Sequence, residues 1–206
     1  MTPRVLVLYA TNHGHTRRVA GRVAAGLAAS GLDPVVMELD GRDDGPPPAG
    51  YDGAAIAASV HAGHHQKQIE RWARRHASML SLRPNALLSV SLSAADSTEE
   101  GRADAHRCAE ELADDTGWTP GRIELVAGAL QYREYDVATR VLMRLIARHH
   151  GISTDTKEDV EFTDWDALDQ FASGFAATVI GAARRGQRAP APATVGSRPG
   201  DPAAHH

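Results

Sequence analysis

The run Arg4-Val5-Leu6-Val7-Leu8-Tyr9, which passes through Ala10 into Thr11-Asn12-His13-Gly14-His15-Thr16, decides the fold of this chain. Six residues with a continuous apolar core read as a buried strand. The loop behind them carries hydroxyls and one glycine, and an alanine-rich helix follows from about Arg17 to Ala29. A strand that opens a helix through such a loop is built to hold an anion. The first N–H groups of a helix lack intrahelical acceptors and carry the positive end of its dipole. The hydroxyls of Thr11 and Thr16 can donate to phosphate oxygens, and Gly14 lets the backbone approach closely. No acidic residue lies between Val5 and Gly31. The spacing matches neither the dinucleotide fingerprint nor the NTPase loop.

Working outward, strands alternate with helices. Strands are expected at Val5–Tyr9, Pro34–Glu38, Gly53–Ser59, Ala86–Ser91 and Ile123–Gly128. Helices are expected at Arg17–Ala29, Gln66–Leu80, Glu99–Thr116 and Trp165–Ala183. That alternation predicts an α/β fold with a doubly wound, five-stranded parallel sheet of flavodoxin-like order 2-1-3-4-5. Ligands of such sheets sit at the carboxyl ends of the strands, so Thr11–Thr16, Ser59–His65 and Leu92–Thr98 fall on one edge. The pattern breaks at 129–163, a long insertion holding a helix-like run over 135–150 and a short strand at Asp159–Phe162. The folded unit is expected to span 1–183. Residues 184–206, rich in Pro, Ala, Gly and Arg, are expected to form a disordered tail.

The chain has 206 residues, with 22 basic against 26 acidic side chains. That weak negative balance argues against nucleic acid as a main partner. Its single cysteine, Cys108, allows neither an intrachain disulfide nor a thiolate cluster and fits a reducing cytoplasm. The apolar run behind Arg4 is strand-length, so neither a signal peptide nor a membrane span is expected.

Four stretches carry a family resemblance over about Arg4 to Thr178. The loop Thr11–Thr16 resembles the phosphate loop of flavodoxins, with His13 where the family usually has threonine. Ser59-Val60-His61-Ala62-Gly63-His64-His65 resembles the flavin loop of the menaquinone-dependent protoporphyrinogen dehydrogenase group, with Ala62 where an aromatic residue is usual. Val126-Ala127-Gly128-Ala129-Leu130-Gln131-Tyr132 and the insertion behind it are similar to that group as well. The most specific stretch is Thr154-Asp155-Thr156-Lys157-Glu158-Asp159-Val160-Glu161-Phe162-Thr163-Asp164-Trp165. The resemblance implies an FMN-dependent oxidoreductase that takes a reduced tetrapyrrole, protoporphyrinogen IX or a relative, as substrate and a quinone such as menaquinone as acceptor. It implies that Thr11, Asn12, His13, Gly14, His15 and Thr16 hold the FMN phosphate. The flavin ring is then expected between Ser59, Val60, His61, Ala62, Gly63 on one side and Ser93, Ala94, Ala95, Asp96 on the other. A flavodoxin-like electron carrier with no small-molecule substrate is the alternative, and such carriers are usually far more acidic.

Several residues keep two readings. His13 and His15 serve either through their rings or as turn residues through backbone N–H groups. Asp96 either tunes the flavin or caps a turn or helix. His61, His64 and His65 cluster, but no carboxylate lies between Asp52 and Glu70 and no metal is expected. His64, with His65 as the other candidate, is the expected proton carrier, since imidazole titrates near neutral pH; two exposed turn histidines is the plainer reading. Arg140, Arg144 and Arg148 form a basic stripe beside Val137, Val141, Leu142, Leu145 and Ile146. That helix either packs on its own domain or touches an anionic membrane peripherally.

Overall fold

In a computed structural model, which describes residues 1–96, 98–130 and 160–188, the chain forms a parallel sheet covered on both faces. The elements run β1 Arg4–Ala10, α1 His15–Ala29, β2 Asp33–Glu38, β3 Gly53–His61, β4 His64–His65 and α2 Lys67–Leu80. They continue as β5 Asn85–Ser91, α3 Glu99–Thr116, β6 Ile123–Ala127, β7 Ala129–Leu130, β8 Val160–Glu161 and α4 Trp165–Arg188. The sheet order is β2-β1-β3-β5-β6, all parallel. This is the expected 2-1-3-4-5 arrangement with one addition. β4 folds back antiparallel on β3, pairing His61 with His64 and Val60 with His65.

The apolar runs are continuous because both faces are buried. Along β1, Val5, Val7 and Tyr9 enter one layer and Leu6, Leu8 and Ala10 the other. The first layer holds Val19, Val23 and Leu27 of α1 with Phe171, Phe175 and Val179 of α4. The second holds Ile69 and Trp72 of α2, Ala109 and Leu112 of α3, and Trp118. Thr98 caps α3 by accepting from the Gly101 N–H at 3.2 Å, and Gly117 ends it at φ 68°.

The long connection leaves and returns as a two-stranded ribbon, with Ala129 opposite Glu161 and Leu130 opposite Val160. The short strand expected at Asp159–Phe162 is thus Val160–Glu161. Gln131, Tyr132, the run 135–150 with its arginines, and Thr154–Asp159 lie outside the described residues. α4 passes its expected end at Ala183 and reaches Arg188, and residues 189–206 lie outside the described residues. Its alanines and arginines are good helix formers, and they extend the helix before the prolines begin. No described helix is long and apolar enough to cross a membrane.

The contact between α1 and α4 yields a test. A Cβ added at Gly26 would stand 2.6 Å from the Cβ of Ala172. Helix propensity alone favours Gly26→Ala by about 1 kcal/mol. Overpacking costs about 1–3 kcal/mol, so a net loss of stability is expected in urea denaturation. Adding Ala172→Gly should recover part of the loss. A stabilised Gly26→Ala chain would contradict this packing.

Candidate active site at the carboxyl edge of the sheet

Register places the site. Ala10 pairs with Ala58 and Ser59 with Val90, so β1, β3 and β5 end side by side. The connections after them, Thr11–Gly14, Ala62–Gly63 and Ser93–Ala95, therefore converge on one edge. The rings of His13 and His61 meet edge to face, 5.6 Å between centroids, which joins the first connection to the second. Gln66 is a further tie. Its amide donates to the Ala10 carbonyl at 3.2 Å and to the Ser59 hydroxyl, and its own oxygen is buried without a partner among the described residues.

In the first loop, Gly14 sits at φ 84° with open space where a side chain would project. Only glycine takes that left-handed position without strain. The Gly14 N–H donates to the Thr11 hydroxyl oxygen at 2.8 Å, so Thr11 keeps its own proton to give away. Ser59 is in the same position, since its oxygen accepts from Gln66. α1 then begins at His15 with no acidic residue in its first turn. Its leading N–H groups, His15, Thr16 and Arg17, have no intrahelical acceptor. Thr16 is 1% exposed. Of the acids near the start of α1, Glu161 pairs with Arg18 at 2.7 Å, and Glu38 accepts from Arg17 at 2.6 Å and from the Tyr9 hydroxyl at 2.9 Å. Arg17 first, and then Tyr9, hold that carboxyl below its usual range, so its charge is spent locally. Hydroxyl protons, free N–H groups and a helix start, with the Glu38 and Glu161 carboxylates each paired to an arginine, suit the phosphate of FMN.

His15 answers its two readings. Its side chain is 9% exposed and turned toward Thr163, with Nε2 2.8 Å from the Thr163 hydroxyl. Its ring is committed there, and what it offers an anion is its backbone N–H. Burial holds the imidazole below its ordinary value; Glu161 works against that and Arg18 with it.

The second connection is a two-residue hairpin turn. Ala62 at φ 49° and Gly63 at φ 86° are both left-handed, the pattern that type I′ turns demand. At Ala62 this costs about 1 kcal/mol relative to glycine. His61 and His64 flank the turn, and His64 is exposed. His65 is not. It is 5% exposed, its Nε2 lies 3.1 Å from the Ser89 hydroxyl, and burial pushes its pKa down to about 4. The reading of two exposed histidines, and of His65 as a carrier near neutral pH, is therefore corrected: the β4 pairing turns His65 under the sheet edge. No group of three or more metal-ligating side chains exists among the described residues.

The third connection is a short turn without bulk. Ala94 N–H donates to the Ser91 hydroxyl at 3.1 Å. Asp96 accepts from the Thr98 N–H at 2.9 Å and from its hydroxyl at 2.7 Å, so it braces the start of α3. Beyond this turn, on the side away from the hairpin, a cavity of about 480 Å³ lies against the edge strand β6. Leu125, Ala127, Phe162, Asp164 and Leu168 help to line it. Ala94 and Ala95, two of the residues expected beside the ring, line it too, whereas no residue of the hairpin does.

Gln66 and Thr163 are the residues that sequence reasoning passed over. Gln66 read as an ordinary helix start. Thr163 stood in the most specific stretch, but with no role attached.

The burial of His65 sets a pH dependence. A base whose folded pKa is depressed stabilises the fold above its unfolded value, near 6.5, and loses that contribution as pH falls toward 4. From His65 alone, unfolding free energy should drop by about 2 kcal/mol between pH 7 and pH 5. Chemical denaturation of His65→Gln at the two pH values should show a smaller drop. An equal drop would mean that His65 is not buried as a neutral ring.

A family model described as a flavodoxin domain matches residues 6–157. The protoporphyrinogen IX dehydrogenase (quinone) of Escherichia coli strain K12 is 31% identical over 169 residues, covering 82% of this chain and 92% of its own. The Leishmania major protein of the same name is 32% identical over 180 residues, covering 85% of this chain and 76% of its own. Among solved structures, a short-chain flavodoxin associated with a non-canonical PDU bacterial microcompartment aligns at TM-score 0.53 and 16% identity, over 87% of this chain and 99% of that one. With its sheet order, its loop chemistry and these relatives, the chain belongs to the flavodoxin-domain family, in the group of the protoporphyrinogen IX dehydrogenases, as an oxidoreductase whose cofactor is FMN.

Proposed function

We propose that this protein oxidises a reduced tetrapyrrole of the protoporphyrinogen type and passes the electrons to a quinone, menaquinone being the acceptor that the reading carries. The observation that supports it most is the convergence of three connections on one sheet edge, in a chain whose relatives carry that activity in their names. FMN, when bound, supplies the acceptance of hydride or electrons that the side chains lack.

The chain's own residues bind, orient and move protons. Thr11 and Thr16 donate hydroxyl protons to the phosphate, and the N–H groups that open α1 at His15 complete its shell. Asn12, His13 and Gly14 form the loop around it. Ser59, Val60, His61, Ala62 and Gly63 meet one side of the ring system, and Ser93, Ala94 and Ala95 the other, with Asp96 holding that turn in place. Ala62 puts a methyl where an aromatic ring would cover the flavin, which leaves room for a broad, flat substrate. His64, exposed beside the turn, takes the proton released as the carbon–hydrogen bond breaks. The basic stripe expected over 135–150 would meet the membrane that holds the quinone.

Two measurements test this reading. Under anaerobic conditions, protoporphyrinogen IX should bleach the visible absorbance of the FMN-loaded protein, and menaquinone should restore it. A flavin that binds but stays oxidised would defeat the substrate assignment. Thr16→Val should weaken FMN binding by about 1–3 kcal/mol, measured by flavin fluorescence titration. Unchanged affinity would remove the Thr16 hydroxyl from the phosphate site.

A further inference from the structure

The closing Thr163-Asp164-Trp165 has so far been given no task in the chemistry, yet it touches the phosphate loop. The Thr163 hydroxyl donates to the Ala127 carbonyl at 2.7 Å. A threonine has one hydroxyl proton, and this bond uses it. Toward His15, 148 positions away in sequence, the same oxygen can only accept, so the 2.8 Å contact requires a proton on His15 Nε2. His15 Nδ1 then carries the lone pair, and it is buried without a partner among the described residues. Two bonds thus fix the position of the first side chain in α1 and the proton on its Nε2, and burial favours the neutral ring, in which Nδ1 is bare.

The neighbours reinforce this arrangement along one stripe of α1. Arg18 pairs with Glu161 at 2.7 Å and lies over the Trp165 ring, 5.3 Å from its centroid. Arg22 grips Asp169 with two bonds, at 2.7 and 2.6 Å. Residues at i, i+3 and i+7 share one helix face. The residue that opens the helix makes its side-chain hydrogen bond with Thr163, and the Trp165 ring lies beside the same imidazole, 6.2 Å between centroids.

We propose that Thr163 is a positioning residue for the phosphate loop: by holding His15 as the Nε2–H tautomer against the end of β6, it sets the first turn of α1 in the orientation that receives the phosphate of FMN. The inference rests on the functional reading above for the identity of the phosphate. His15 and Thr163 are 148 positions apart in sequence, and Thr163 stands just after the return of the long connection, bonded to Ala127 just before its start. That connection's return is therefore part of the cofactor site without touching the cofactor.

Three variants of the full chain decide it. Thr163→Val keeps the shape and removes the hydroxyl; Thr163→Ser keeps the hydroxyl. Asp169→Asn breaks a neighbouring tie between α1 and α4 and leaves Thr163 alone. The Kd for FMN, from fluorescence titration of the FMN-free protein, should rise about tenfold in Thr163→Val. It should stay near the wild-type value in Thr163→Ser and Asp169→Asn. Nitrogen-15 NMR of the imidazoles, with His15 assigned by its loss in His15→Gln, should show Nδ1 unprotonated in the wild type and in Thr163→Ser. In Thr163→Val that signature should give way to a mixture of tautomers. An unchanged Kd in a folded Thr163→Val chain would overturn the proposal. So would a wild-type His15 protonated on Nδ1, or an equal loss of affinity in Asp169→Asn. A wild type that binds no FMN would sink the functional reading instead, while the tautomer in the FMN-free chain would still decide whether Thr163 governs His15.

Discussion

A parallel sheet cannot fold back on itself. Each strand must hand the chain to a crossover, and all the connections that follow strands emerge on one edge. Everything functional in this protein descends from that constraint. Burial of both sheet faces keeps β1, β3 and β5 in tight register, and their ends bring Thr11, Ser59 and Ser91 within one neighbourhood. The polar ties there are short and local. Gln66 joins the ends of β1 and β3, and Ser91 braces the turn after β5.

The proposed anion site is made of neutral donors. They are hydroxyls and backbone N–H groups, and burial lowers the pKa of the imidazole at the head of α1. Neutral donors held in place pay little to reorganise around a dianion, and they attract it without creating a fixed charge that would need a partner when the site is empty. Two carboxylates near the start of α1 are each paired with an arginine, Glu38 with Arg17 and Glu161 with Arg18. A chain with more acidic than basic residues can in this way present the proposed anion-binding loop.

The hairpin after β3 is where local rules are broken. Ala62 occupies a left-handed position that glycine or asparagine would fill at lower cost. The pairing of β4 on β3 enforces it, and the same pairing divides the histidine cluster: His64 faces solvent and His65 is buried against Ser89. Adjacent residues of identical chemistry thus acquire different surroundings, because successive strand residues point to opposite faces.

Much of this was legible in the sequence. The apolar runs and the helix-length stretches between them determine a doubly wound parallel sheet, because burial on both faces is written in local residue types; the hydroxyl–glycine loop points to an anion site after the first strand through helix-start electrostatics. Element ends shifted by a residue or two, and α4 ran on to Arg188, since helix ends are set by the last favourable turn rather than by composition. What only the tertiary structure decided concerns contacts between segments distant in the chain. No periodicity announces that Thr163 would meet His15, that Gln66 would span two strand ends, or that His65 would be buried beside an exposed His64. Those outcomes depend on register, on the return path of the long connection and on which face a two-residue turn presents, and a one-residue change in any of them would reverse the side chain involved.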